Sequence, residues 1–174
     1  PGVPEEKEPI YVIIEENVFV YGTAFVFSGN NVNGPGATTI ITGNLNTGDL
    51  NGGASIAVSN ISIDGNVNLD GGSASLGSPD KPGEIHINGS LTLRDGQRHI
   101  YGDVYVNGDF LLKDARIHGN VYVSGNLTLG DTPWIDENAR IYYTGTLTSP
   151  LDSGSGYDLD IIAKCIKQET VPGV

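Results

Sequence analysis

Three aspartates recur at one place in the chain: Asp95, Asp114 and Asp131 each lie twelve residues after a glycine, Gly83, Gly102 and Gly119 respectively. If the segments that carry them stack side by side, their carboxylates form a ladder with a step of about 5 Å. Like charges at that spacing repel unless a cation or a shared proton intervenes. Oxygen-rich clusters suit hard cations, so the ladder is a candidate Ca2+ site. The plainer reading is that Asp favours corners, where its side chain closes a turn. Arg94 and Lys113 stand beside two of the aspartates and offset part of the charge.

A second alignment is aromatic. Tyr105, Tyr122 and Tyr142 fall in one outward-facing column that continues from His86 and Asn68. Stacked tyrosines offer a platform for sugar rings or for a partner sheet, and outward Tyr on neighbouring strands also stabilises a sheet by cross-strand packing. His99 and His118 are not at metal-ligand spacing along the chain; they occupy nearby corners and could approach one another, and the plainer reading is that they are surface histidines. Trp134 falls in a corner loop, from which it is expected to pack over the repeat. Asn60, Asn88 and Asn126 open N-x-S/T tripeptides, matches that an Asn- and Ser-rich repeat produces easily by chance. No Gly-rich turn is followed by the helix that a phosphate-binding loop requires.

The elements that would position these residues are written in a repeat. The segments GEIHINGSLTLRD, GDVYVNGDFLLKD, GNVYVSGNLTLGD and, more loosely, ARIYYTGTLTSP start at Gly83, Gly102, Gly119 and Ala139, with periods of 19, 17 and 20 residues. Side chains alternate faces along a strand. Val104, Val106, Phe110 and Leu112 therefore point one way, and Asp103, Tyr105, Asn107, Asp109 and Lys113 the other. One such unit cannot bury its own apolar row, whereas units stacked about 4.8 Å apart share a continuous core. RHIY at 98–101 and ARIH at 115–118 add a third segment per unit, placing Ile100 and Ile117 inward.

Three strands and three corners per turn predict an all-β, three-sided parallel β-helix (β-solenoid) of about six rungs. Right-handedness is expected from the general preference of parallel crossovers. Extended backwards, the register takes in GNVNLDG from Gly65, eighteen residues before Gly83, and then Val18, Val20, Gly22, Ala24 and Val26.

The chain divides into a Pro- and Glu-rich linker at 1–9, a solenoid domain at 10–150 and a C-terminal cap and tail at 151–174. IYVII reads as an edge strand or a cover over the first rung, and SGNNVNGPGATT as a polar loop leaving the solenoid at a corner. In YDLDIIAKCIKQE the apolar residues suit one face of a helix or a strand, and either would cover the open strand edges at the end of the coil. Cys165 reads as a small buried residue of that cap. It is the single cysteine, so no intramolecular disulfide forms.

The net charge of −12 opposes binding to nucleic acid and to anionic membranes. No apolar run reaches the roughly 18 residues that span a bilayer. The chain starts at Pro1 and has no Met, which reads as a fragment or processed form; a membrane anchor or targeting signal would lie outside it.

The rungs GDVYVNGDFLLKDARIHGNVYVSGNLTLGD resemble those of the bactofilins, bacterial polymer-forming β-helix proteins, and the solenoid segments of pilus-associated and other bacterial surface proteins. The resemblance covers roughly Asp64 to Thr148. It implies the solenoid fold and, for bactofilins, end-to-end polymerisation. The long N-terminal insertions, the C-terminal cap and the Asn- and Thr-rich outer face depart from bactofilins and favour an exported module. The acidic ladder also resembles that of pectate-lyase-like enzymes, in which Arg94 or Lys113 would supply the base.

The expected function is a non-catalytic structural or adhesive module on a bacterial cell surface or appendage, extracellular in location. It would meet a protein or glycan through the tyrosine column or the Asp ladder, with no cofactor beyond the Ca2+ that ladder would take. A self-associating, filament-forming scaffold and a polysaccharide-binding or polysaccharide-degrading β-helix are the alternatives.

Overall fold

The structure is a computed structural model that describes residues 10–26, 30–47, 53–70, 73–94, 98–130, 133–149 and 156–173. The linker at 1–9 and the junction at 150–155 lie outside the described residues.

Each turn of the chain lays down three strands. The first turn holds β1 (Ile10–Ile13), β2 (Asn17–Val20) and β3 (Ala24–Val26). The second holds β4 (Asn30–Ile41), which runs through a corner onto two faces, and β5 (Leu45–Thr47). The third repeats that plan with β6 (Gly53–Ile63) and β7 (Val67–Asp70). Three separate strands then form each turn: β8 (Ser73–Leu76), β9 (Glu84–Ile87) and β10 (Leu91–Arg94), followed by β11 (Arg98–Ile100), β12 (Asp103–Val106) and β13 (Phe110–Leu112). The series closes with β14 (Ala115–Ile117), β15 (Val121–Val123) and β16 (Leu127–Leu129), then β17 (Trp134–Ile135), β18 (Ile141–Tyr143) and β19 (Leu147–Thr148). Helix α1 (Gly156–Ala163) and β20 (Cys165–Lys167) end the chain.

All the ladders are parallel and make three faces. One runs β1-β4-β6-β8-β11-β14-β17, the second β2-β4-β6-β9-β12-β15-β18-β20, and the third β3-β5-β7-β10-β13-β16-β19. Seven strands in the third face make six steps, about 29 Å of axis at the usual strand spacing. The three-sided β-solenoid of about six turns expected from the repeat is the observed fold.

Alternation carries the core. Ile85, Val104, Val121 and Ile141 pair in one inward column, and Leu91, Phe110 and Leu127 in another, all at most 1% exposed. The corner between the second and third faces needs glycine for close approach. A Cβ on Gly108 would stand 2.6 Å from the carbonyl oxygen of Gly89, and one on Gly125 2.7 Å from that of Gly108. Only hydrogen fits there.

The structure corrects three expectations, two of them in the early turns. Val67 pairs with Leu91, so Gly65 belongs with Gly89 and not with Gly83, a shift of one face that the irregular spacing of these turns concealed. Within SGNNVNGPGATT, residues 30–39 are not a loop but part of β4, in which Val32, Gly34 and Thr39 pair with Ile56, Val58 and Ile61. Backbone pairing outweighs composition there, because a loop would leave the edge of β6 open. Trp134 lies on β17, paired with Arg116, and not in a corner loop.

The cap contains both structures that the sequence left open. Helix α1 places Ile161 in the core at 2% exposed, and β20 then adds to β18 in register, Ile141 opposite Cys165. Lys164 Nζ donates to the carbonyl of Ile135 at 3.0 Å and holds the helix end against the last turn. Burial pushes the Cys165 thiol up to about 12, which keeps it protonated and unreactive.

Candidate functional site

The second face carries the aromatic column. Strand register aligns Ser62, His86, Tyr105, Tyr122, Tyr142 and Ile166. His86 and Tyr105 stack at 4.5 Å between centroids and 5° between planes, Tyr105 and Tyr122 at 5.0 Å and 17°, Tyr122 and Tyr142 at 5.4 Å and 9°. Rings stacked on one another turn their faces along the solenoid axis, so along the column solvent meets mostly edges and phenolic tips. A ligand ring could lie flat only at an end of the stack. Burial, and then Glu84 and Asp103, raise the Tyr105 phenol above its ordinary value, which keeps it a neutral donor. Asn68 is not in this column: it pairs with Thr92 on the third face.

Beside the rings runs a polar column that the sequence reading passed over. Asn88 Nδ2 donates to Asp64 Oδ1 at 2.8 Å, Asn107 Nδ2 to Asn88 Oδ1 at 2.9 Å, and Ser124 Oγ to Asn107 Oδ1 at 3.2 Å. On the other side of the glycine column, side-chain oxygens accept from the next turn's backbone: Asn66 Oδ1 from Ser90, Asp109 Oδ1 from Asn126, Asn126 Oδ1 from Thr146, at 2.8 to 2.9 Å. The corner before the second face does the same through Asp103 and Asn120. The signal was legible as a polar residue on both sides of nearly every repeat glycine, as in INGS, VNGD and VSGN.

Of the aspartate ladder, Asp114 is described, between β13 and β14, with φ 57. Asp enters this left-handed region more readily than most residues, and the geometry is that of a corner. Asp95 and Asp131 lie outside the described residues. Among the described residues no group of three His, Cys, Asp or Glu side chains is placed to hold a metal ion.

The first face brings His99 and His118 together, as their nearby corners allow, and adds aromatic neighbours. His99 Nδ1 and His118 Nε2 are 2.8 Å apart, Tyr101 stacks on His118 at 4.5 Å, and Trp134 tilts against His118 at 5.3 Å. The Arg116 guanidinium lies over Trp134, 5.8 Å from the ring centroid. At 2.8 Å the two imidazoles share one proton. Burial first, then Arg116, lowers His99; burial first, then His99, lowers His118. Inside the same face, Arg98 is fully buried between the small inward residues Ala74 and Ala115 and donates to the carbonyls of Leu69 and Arg94. Arg98 lies two positions before Ile100 on the same inward side, a placement that was not among the expected inward residues.

The first turn differs from the others. Val12, Ile13, Phe19, Tyr21 and Phe25 are exposed, Ile13 at 75% and Tyr21 at 84%. An apolar cavity of about 260 Å3 lies within the first turns, lined among others by Ile14, Val18, Val20 and Thr39. Compared with known proteins, the chain matches no family model, no curated protein and no solved structure.

Proposed function

We propose that the chain is a non-catalytic structural module, a short rigid spacer displayed on a cell surface or appendage. The observation that supports this reading most is where the outward polar groups go. Asn, Asp, Ser and Thr at the corners hydrogen-bond from one turn to the next, which stiffens the coil. A column built that way resists bending. The carboxylates and amides of its corners are used to hold one turn on the next.

Two experiments test the reading. Antibody against the folded chain should label intact source cells, and labelling only after permeabilisation would overturn surface display. Incubation with neutral and acidic polysaccharides should release no reducing ends, whereas depolymerisation would overturn the non-catalytic assignment.

The exposed apolar first turn favours a second reading, the self-associating scaffold. Polymer growth needs two competent ends, and at the C-terminal one β20 covers the edge of the second face and α1 packs Ile161 against the core. End-to-end contact through the first turn alone would close at two copies.

A further inference from the structure

The aromatic column stops one turn early. His86 pairs with Ser62, which has no ring, so one face of the imidazole is left uncovered where the next ring would lie. A cavity of about 310 Å3 opens there, between the ring column and the polar column, with Ser62, Asp64, His86, Asn88 and Tyr105 around it. Its far end is closed by the C-terminal tail. Gly173 packs directly on the Tyr105 ring, at a site where even a Cβ would collide with the ring carbons.

We propose that this cavity is a binding site for one neutral hexopyranose ring, at the end of a glycan chain. The ring's C–H face lies against the open face of His86, continuing the stack in place of a side chain. Its hydroxyls meet Asp64, whose carboxylate already accepts from Asn88 and has lone pairs left for a second donor, and the Ser62 hydroxyl. Asn88 uses one of its two amide hydrogens on Asp64 and keeps the other.

Charge selects against acidic sugars, because Asp64 and Glu84 flank the site and Glu84 Oε1 is 2.9 Å from His86 Nε2. Closure at Gly173 selects a chain end. The remainder of the chain leaves past Ile40, the residue paired with Ser62 in the turn before. The site goes beyond the structural reading and stands or falls separately from it.

The test is saturation-transfer NMR and titration with the methyl glycosides of glucose, galactose and mannose, with glucuronate and methylguanidinium as charged controls. A neutral glycoside should bind with a millimolar dissociation constant, as befits so small a ligand, and shift the amides of Ser62, Asp64 and Asn88. His86→Ala should weaken binding about tenfold through loss of one ring contact. Ser62→Tyr adds a ring to a column of rings, so it should leave the fold intact, fill the gap and abolish binding. Three results would overturn the assignment: no neutral glycoside binds, binding survives Ser62→Tyr unchanged, or methylguanidinium binds better than every glycoside.

Discussion

The two ends of this solenoid meet the same problem in opposite ways. At the C-terminal end, β20 pairs with the last strand of the second face and α1 inserts Ile161 into the core. At the N-terminal end, β1, β2 and β3 each pair on one side only among the described residues, as β17 and β19 do at the other end, but five large apolar side chains of that turn face solvent. A parallel coil generates an unpaired edge at each end whatever its sequence. The difference shows that stability here belongs to the interior turns and the capped end, while the first turn is held from one side.

The largest effect that would sharpen this contrast comes from paired phenylalanines. Phe110, 1% exposed in the middle of the stack, should lose about 4 kcal/mol on Phe110→Ala. Phe25, 55% exposed in the first turn, should lose under about 1 kcal/mol on the same change. Urea unfolding measures both, and equal losses would break the comparison.

The glycine column makes the same contrast in the backbone. Gly22 opens the column and has nothing within 4 Å of a Cβ, but its φ of +103 makes Ala strained. Gly22→Ala should cost about 1 kcal/mol. Gly125→Ala drives a Cβ against the Gly108 carbonyl at 2.7 Å and should cost about 2 kcal/mol, with a fall in melting temperature to match.

How much of this was legible depended on regularity. From Gly83 onward each turn has its own short apolar pair and glycine, and the pattern alone placed β9 to β16 and β18 and aligned the tyrosines, because alternation ties each residue to one face. In the early turns β4 and β6 run through corners without a break. There nothing in the residues marks where one face ends, so Gly65 and Asn68 were assigned to the wrong face. The His99–His118 contact was legible only as two nearby corners that could approach. It joins residues one turn and two positions apart, and no motif along a single strand records such a diagonal. Arg98 has an inward slot by the same alternation that placed Ile100, and such a slot is unusual for a charged residue.

A smaller effect is expected to stabilise the protein. Thr39 occupies an inward slot of β4, 6% exposed, and its Oγ1 has no hydrogen-bond partner among the described residues. Thr39→Val keeps the shape and removes an unsatisfied buried hydroxyl, so it should raise stability by about 1 kcal/mol. A loss on that change would mean that the first turns are wetter than their apolar cavity implies.

The mildest effect is the response to acid. Both His99 and His118 are held below their ordinary value of 6.5 in the folded chain. Between the folded and unfolded values the unfolded chain binds more protons, so stability rises with pH there. This contribution is complete above about pH 6.5 and is lost as pH falls from 6.5 toward the folded values. His118→Gln should therefore flatten the part of the urea midpoint's decline that lies just below pH 6.5. An unchanged slope would mean that the pair does not titrate as its geometry requires.

Sedimentation velocity over a wide concentration range tests most directly the claim that, among the described residues, β20 and α1 cover the C-terminal end of the coil while the first turn lacks such a cover. The account predicts a species that never exceeds two copies, however concentrated the protein. Steady growth into long assemblies would contradict it, because β20 and α1 would then have to yield their place to another chain.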